Sequence, residues 1–398
     1  MMKVLIIQGG VDTNLVTGEE VVINNDIEYF QKTGVNAIYE QIKIPKSGWQ
    51  SFFGKIGGLL WSITNYRKVN SAIVKYKPDI VHFHTIVPYL SFSVIAAANN
   101  AGIPILQTLH NGRWLCLEGG YFRNNTFCDD CVGSYGWLGL KRGCGHGKLI
   151  SLPLFLNNFI VRKFGFLARY VTHFIAVSEF VREQHIRSGF PRDKITVRNN
   201  GFNFLDLNLL EDSWLFRNGI VFSGRVSIAK GALVLKYLIS HCDCPIKIIG
   251  NGPELGMLKQ YCVDNDFMHV EFFGKVDNTK VIEIISKSIL TVVPSQCGDS
   301  FPTVALESIS VGTPVIASNL GGLPDLIDSS GGGVIVDHAN HSQFVVVIKE
   351  LLKNKERAKL LGDDGKSYAL KNVSLDRQGK QLVGIYNKVI AEYKESRK

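Results

Sequence analysis

A chain of 398 residues with 45% hydrophobic, 20% charged and 10% aromatic side chains, 39 glycines and 12 prolines has the composition of a globular enzyme. It is long enough for two or three domains with their own cores, and its composition excludes disordered, collagen-like and coiled-coil classes. The net charge is +9 and the eight cysteines are too few for a disulfide scaffold.

The opening Met1-Met2-Lys3-Val4-Leu5-Ile6-Ile7 runs into Gly9-Gly10, where the apolar core of a signal peptide would continue. A cytoplasmic chain with reduced thiols is therefore expected. Near-continuous apolar runs at 4–8, 80–84, 103–109 and 174–177 predict buried parallel strands. Helices are predicted over 22–33, 66–76 and 91–101, the first stopping at Lys32-Thr33-Gly34 with a glycine cap. Residues 80–112 are uncharged, but His82, His84, Pro88, Asn99, Asn100 and Pro104 favour strand–helix–strand over a membrane span.

Charge in the first half is uneven. No acid lies between Glu40 and Asp79, a stretch holding Lys43, Lys46, Lys55, Arg67, Lys68, Lys75 and Lys77. None lies between Asp130 and Glu179, which holds Lys141, Arg142, Lys148, Arg162, Lys163 and Arg169. Aromatic residues interleave both, among them Trp49, Phe52, Phe53 and Trp61, then Trp137, Phe155, Phe159 and Phe164. Cations beside apolar groups suit an anionic membrane surface. The rivals are a plain core with a solvated rim, and nucleic acid, for which no binding signature is found.

The second half repeats the alternation. Strands are predicted at 219–223, 246–250, 270–273, 290–293, 314–318 and 333–336, and helices at 232–240, 254–265, 278–287, 302–311 and 342–354. Strand–helix alternation in both halves predicts an α/β fold of two doubly wound Rossmann-like domains, 1–203 and 204–375, joined within the polar stretch 203–218. A C-terminal helix, 376–398, is expected to pack back on the first domain. Residues 112–147, rich in glycine and cysteine, fit neither pattern and read as a long excursion from the first domain.

Four motifs at strand ends carry the chemistry. Ser223-Gly224-Arg225 followed by Lys230-Gly231 offers a planar fork and a point charge to a diphosphate. Gly250-Asn251-Gly252-Pro253-Glu254 permits a tight turn and a close backbone approach. It is not the dinucleotide fingerprint, since Leu255 stands where the last glycine should be, and no phosphate-loop motif occurs elsewhere. In Pro294-Ser295-Gln296-Cys297-Gly298-Asp299-Ser300-Phe301-Pro302-Thr303-Val304-Ala305-Leu306-Glu307, a helix starting near Pro302 aims first-turn amides at an anion. Glu307 then stands roughly 7 Å along the helix axis, placed to grip a diol such as ribose. The plainer reading is a capping Asp299 and an ordinary surface Glu307. Gly321-Gly322-Leu323-Pro324-Asp325 adds a further glycine turn at a strand end.

Together these residues resemble the family 4 (group 1) retaining glycosyltransferases of the GT-B fold, of the bacterial surface-polysaccharide type. The resemblance extends to Asp79-Ile80-Val81-His82-Phe83-His84, Thr108-Leu109-His110-Asn111, Ala176-Val177-Ser178-Glu179 and Asn200-Gly201, and so covers roughly residues 1–390. There are two departures. Asp299 replaces the first Glu of the family's E-x7-E motif, and Thr17-Gly18-Glu19-Glu20 replaces its Gly-Gly pair.

The resemblance implies two domains facing across a deep cleft, with a nucleotide-sugar donor bound mainly by the second. Arg225 and Lys230 would hold the diphosphate and Glu307 the ribose. Asp299 and the segment Ser300-Phe301-Pro302-Thr303 would position the sugar, with Gly18, Gly224, Gly250 and Gly252 in the donor site. His110 would hydrogen-bond the sugar from the opposite domain. It further implies hexose transfer with retention, no general base, no cofactor and no catalytic metal. The basic aromatic stretches suggest a lipid-linked glycan acceptor at the inner face of the cell membrane, with peripheral association and no nucleic-acid partner. A nucleotide-sugar epimerase and a donor-binding scaffold without catalysis are the alternatives.

Cys116, Cys128, Cys131 and Cys144 cluster in the excursion, with His146 beside the last. Only Cys128-x-x-Cys131 has tight metal spacing. A structural zinc, free thiols holding an ordinary loop, and a redox or disulfide role all remain open.

Overall fold

The computed structural model describes residues 1–11, 18–44, 61–145, 147–204 and 214–397. Thr17, Lys46, Trp49, Phe52, Phe53, Lys55, His146 and most of the expected join lie outside the described residues. Two units emerge. Met1–Tyr121, Cys128–Gly201 and Leu375–Lys398 form the first, and Phe122–Phe127 with Phe202–Ser374 the second.

In the first unit, β1 (Lys3–Val11), β2 (Asn36–Ile44), β3 (Ile80–Phe83) and β4 (Ile105–Leu109) belong to the main sheet. A two-stranded antiparallel hairpin, β5 (Phe122–Arg123) and β6 (Thr126–Phe127), follows within the excursion and belongs to the second unit. β7 (His173–Ala176) and β8 (Ile195–Val197) complete a parallel sheet in the order β2-β1-β3-β4-β7-β8. Val4, Leu5, Ile6 and Ile7 are each at most 1% exposed, as a strand covered on both faces requires.

The second unit contains β9 (Ile220–Ser223), β10 (Ile246–Ile249), β11 (Val270–Gly274), β12 (Leu290–Val293), β13 (Val315–Ser318) and β14 (Gly333–Val336). Their order is β11-β10-β9-β12-β13-β14, with parallel pairing throughout. Both units are thus doubly wound and Rossmann-like, the fold class expected from the alternation.

Strand β2 and strand β8 had no counterpart in the sequence reading. Both are sheet edges, and β2 is interrupted by the polar residues Glu40, Gln41 and Lys43 instead of running continuously apolar. Helices Lys148–Lys163, Glu179–Arg187 and Lys355–Asn372 were likewise not anticipated.

The helix Leu375–Glu395 belongs to the first unit, where Leu382, Tyr386 and Val389 join Tyr29 and Phe30 of the helix Gly18–Thr33 in one core. Gly379 lets the two helices close up, since a Cβ there would lie 2.3 Å from the Tyr29 ring. Beneath them Arg198 and Asp26 form an ion pair with side chains 4% and 3% exposed. Arg198 Nε also donates to the Gln378 carbonyl at 3.0 Å.

Candidate functional site

In the second unit the strand order reverses between β9 and β12, and in such sheets ligands sit outside the strands' carboxyl ends at that point. A cavity of about 350 Å³ lies there, lined by Ser223, Gly224 and Arg225 after β9, by Lys230, by Ser295 and Asp299 after β12, and by Pro302, Thr303 and Glu307.

Backbone contacts build this cavity. Gln296 N–H donates to the Ala229 carbonyl at 2.8 Å, joining the loop after β12 to the segment before Lys230. Gly231 has φ +90°, and a Cβ there would stand 2.2 Å from the Pro294 carbonyl oxygen. Gly250, at φ +123°, meets the Gly224 carbonyl so closely that a Cβ would lie 1.9 Å from it, and at Gly252 the Val226 carbonyl would be 2.1 Å away. Val226 N–H donates to the Asn251 carbonyl at 3.0 Å. The second glycine motif therefore shapes the Arg225 loop from behind and does not line the cavity. The Gly321-Gly322 turn does similar work, with Gly322 N–H donating to the Asp299 carbonyl at 2.7 Å.

The side chains are coupled electrostatically. The Lys230 ammonium pairs with Asp299, whose other carboxylate oxygen accepts from Ser295 Oγ at 2.6 Å. Burial works against the ammonium, but Asp299 and, less strongly, Cys297 outweigh it and hold the lysine above its ordinary value. Burial pushes the Glu307 carboxyl up to about 7, opposed by a hydrogen bond from Asn278. Glu307 lies within the helix Thr303–Ser310, whose first amides, Thr303 and Val304, stand at the positive end of its dipole, while the Ala305 amide donates to the Pro302 carbonyl at 3.1 Å. Arg225 is exposed, Ser300 half-buried and Phe301 9% exposed; the last two stand outside the cavity lining.

In the first unit, His110 follows β4 and lies 2.8 Å, Nε2 to Nδ1, from His84 after β3. His82 Nδ1 is 2.8 Å from Tyr386 Oη and its Nε2 is 2.7 Å from Thr108 Oγ1. Burial lowers all three imidazoles, most strongly His82 and His84, where the Arg198 charge adds to the effect. These rings are neutral near pH 7, so each offers one donor and one acceptor. Gly18 is the exposed first residue of the helix Gly18–Thr33, and it is the next residue, Glu19, that reaches the histidines' surroundings. Glu19 accepts from Asn111 Nδ2 at 3.1 Å and from Thr85 Oγ1.

Sequence reasoning assigned no role to Glu19, His84 or the Asp26–Arg198 pair. Two signals were available: histidines spaced two apart fall on one face of a strand, and a lone aspartate sits in an otherwise apolar helix face.

The excursion's cysteines are free thiols, with Cys116 and Cys131 buried and Cys128 and Cys144 half-buried. Burial pushes the Cys116 thiol up and Cys131 up to about 12. Among the described residues no group of three or more His, Cys, Asp or Glu is arranged to hold a metal ion.

Residues 216–368 match the family described as glycosyl transferases group 1, and residues 40–204 match glycosyltransferase family 4. An uncharacterized glycosyltransferase of Methanocaldococcus jannaschii is 28% identical over 254 residues, 62% of this chain and 69% of that protein. The spore coat protein SA of Bacillus subtilis is 28% identical over 182 residues, 42% of this chain but 48% of its own length. Among solved structures, HepE of Anabaena in complex with UDP-glucose matches with a TM-score of 0.68 at 15% identity, covering 98% of this chain and 100% of that one. Sucrose-phosphate synthase from Thermosynechococcus elongatus matches with 0.68 at 16% identity, covering 98% and 100%. With one family match in each unit and two Rossmann-like sheets of the GT-B type, the chain belongs to the group 1, family 4 glycosyltransferases.

Proposed function

We propose that the chain transfers a hexose from a UDP- or GDP-sugar to a growing, lipid-linked cell-surface glycan, with retention at the anomeric carbon and without a catalytic metal. The observation that carries this reading is the cavity at the carboxyl ends of β9 and β12, where Arg225, Lys230, Asp299 and Glu307 converge. Arg225 and Lys230 neutralise the diphosphate as it departs, an electrostatic contribution typically worth several kcal/mol. Glu307 accepts from the ribose hydroxyls, and Asp299 orients the sugar. His110 keeps the sugar-binding role that the family resemblance implies. The bond broken joins the anomeric carbon to the diphosphate oxygen. The acceptor hydroxyl adds from the same face and its proton passes to the diphosphate.

The HepE complex, with UDP-glucose bound to the same fold, supports a nucleotide sugar as donor. The acid-free, cationic stretches of the first unit support an acceptor carried on an anionic membrane surface.

The test is NMR of the product formed from UDP- and GDP-hexoses with a lipid-linked glycan acceptor, in the presence of a chelator. The reading expects a new glycosidic signal with the donor's anomeric configuration, unaffected by chelation. An inverted product, or a requirement for added metal, would contradict it. An epimerised sugar formed without acceptor would favour the epimerase reading.

A further inference from the structure

The helix Lys148–Lys163 is apolar on its outward side as well as on its inward one, where Pro153, Leu154, Phe155 and Val161 are buried. Ser151, Leu154, Asn158 and Val161 recur at the three- and four-residue spacing of one helix face, and all are buried. This inward face is partly polar and its polar groups are satisfied. Asn158 Nδ2 donates to the Arg113 carbonyl at 2.7 Å, and Ser151 Oγ to the Cys144 carbonyl at 2.8 Å. The outward ridge is apolar. Leu149 is 85% exposed, Leu152 and Ile160 are each 39% exposed, and Leu156 between them is half-buried. Ile150 and Phe164 extend the same exposure at 53% and 66%. A water-facing helix normally carries polar residues on its outward side, and contiguous apolar exposure marks an interaction surface.

Charge identifies what covers it. Lys148 begins the helix, Arg162 and Lys163 end it, and the short helix before it ends in Lys141 and Arg142. Residues 131 to 178 hold no acid; Arg142 pairs with Asp130 just before that span and the half-buried Arg162 donates to the Trp114 and Ser188 carbonyls, so the exposed charge of this face is carried by Lys141, Lys148 and Lys163. A second copy meeting this face about a two-fold axis would set these cations against themselves. No helix among the described residues is long and apolar enough to cross a membrane.

We propose that this face docks on the anionic headgroups of a bilayer. The helix lies in the interfacial plane with Leu149, Leu152, Leu156 and Ile160 at the acyl boundary and Lys148 and Lys163 among the phosphates. This deepens the proposed function and rests on its lipid-linked acceptor, because the docked face holds the first unit where such an acceptor resides.

The experiment is co-sedimentation of the full chain with vesicles of phosphatidylglycerol and phosphatidylcholine, against phosphatidylcholine alone, at low and high salt. Wild type is expected on the anionic vesicles at low salt and to be released by high salt. A Leu149→Ser, Leu152→Ser, Ile160→Ser variant should lose about a hundredfold in partitioning with an unchanged melting temperature, because its substitutions are on the surface. Lys148→Glu with Lys163→Glu should abolish the preference for anionic vesicles. Wild type indifferent to anionic vesicles at low salt, or a serine variant that partitions like wild type, overturns the proposal. So does a chain that is dimeric until the serine substitutions dissociate it, which would make the face a protein interface. Nucleotide-sugar binding measured in solution on the same preparations separates the two claims. Binding without docking sinks only the membrane surface, and docking without binding sinks only the transferase reading.

Discussion

Lys230 and Asp299 neutralise one another at the carboxyl ends of β9 and β12, with Ser295 Oγ donating to the second carboxylate oxygen at 2.6 Å. Under the proposed function an arriving diphosphate meets an ammonium already paired, and competes with Asp299 for it. Arg225→Ala and Lys230→Ala are each expected to lower kcat/KM about a hundredfold, as loss of one preorganised donor to developing charge does. Asp299→Asn should lower turnover while leaving affinity for free nucleoside diphosphate equal or higher, because the ammonium is released to the phosphates. Competition by the diphosphate checks this. A loss of nucleotide affinity in Asp299→Asn matching that of Glu307→Gln would contradict the division of roles.

Glu307 gives a pH signature. Folding raises its carboxyl to about 7, so the folded chain holds the proton more tightly than the unfolded chain. Its contribution to stability is full below the ordinary glutamate range and is lost as pH rises through about 7. Thermal melts across pH should show Glu307→Gln gaining on wild type between about pH 4.5 and 7 and holding level above. Nucleotide affinity of wild type should rise over the same interval, as the carboxylate becomes available to a diol, while the variant stays flat. A wild-type affinity independent of pH would argue against contact with the ribose.

Two glycines make opposite predictions. At Gly250 a Cβ would strike the Gly224 carbonyl at 1.9 Å in a backbone with φ +123°, so Gly250→Ala should destabilise the chain and disable donor binding together. Gly256, in the helix Leu255–Asp264, has nothing within 4 Å of its Cβ position. Gly256→Ala should stabilise by up to about 1 kcal/mol and leave binding untouched. Denaturant melts with nucleotide titrations read both, and an inert Gly250→Ala would sink the argument that this turn shapes the Arg225 loop.

Much of this was legible in the residues, for physical reasons. Parallel strands covered on both faces, such as β1 and β12, appear as continuous apolar runs, and the cavity-lining groups follow strand ends that a turn residue marks. Edge strands β2 and β8 were hidden because half-covered or very short strands lack that run. The site's support was hidden too. Nothing local at Gly250 says that it faces Gly224, 26 residues earlier, because that contact is created by adjacency of β9 and β10. Glu19 escaped for the same reason, its partners Thr85 and Asn111 being brought to it by the order β2-β1-β3-β4.

The Asp26–Arg198 pair is a test of the first unit's architecture. Both side chains are almost wholly buried, and Arg198 also ties the carbonyl of Gln378 in the C-terminal helix. Asp26→Ala should cost about 3–5 kcal/mol by leaving a buried guanidinium uncompensated. Replacing both partners, Asp26→Leu with Arg198→Met, should recover part of that loss. Chemical denaturation gives the comparison, and a double variant worse than the sum of the single ones would show that the pair does more than satisfy itself.

The most direct measurement is a thermal-shift titration of wild type and the Arg225→Ala, Lys230→Ala double variant with a panel of UDP- and GDP-hexoses. A ligand at 100 times its dissociation constant stabilises its host by about 2.7 kcal/mol. At least one nucleotide sugar should raise the melting temperature of wild type progressively with the logarithm of its concentration, and the double variant should not respond to it. No response of wild type to any nucleotide sugar, or an equal response of the double variant, would contradict a donor site built on Arg225 and Lys230.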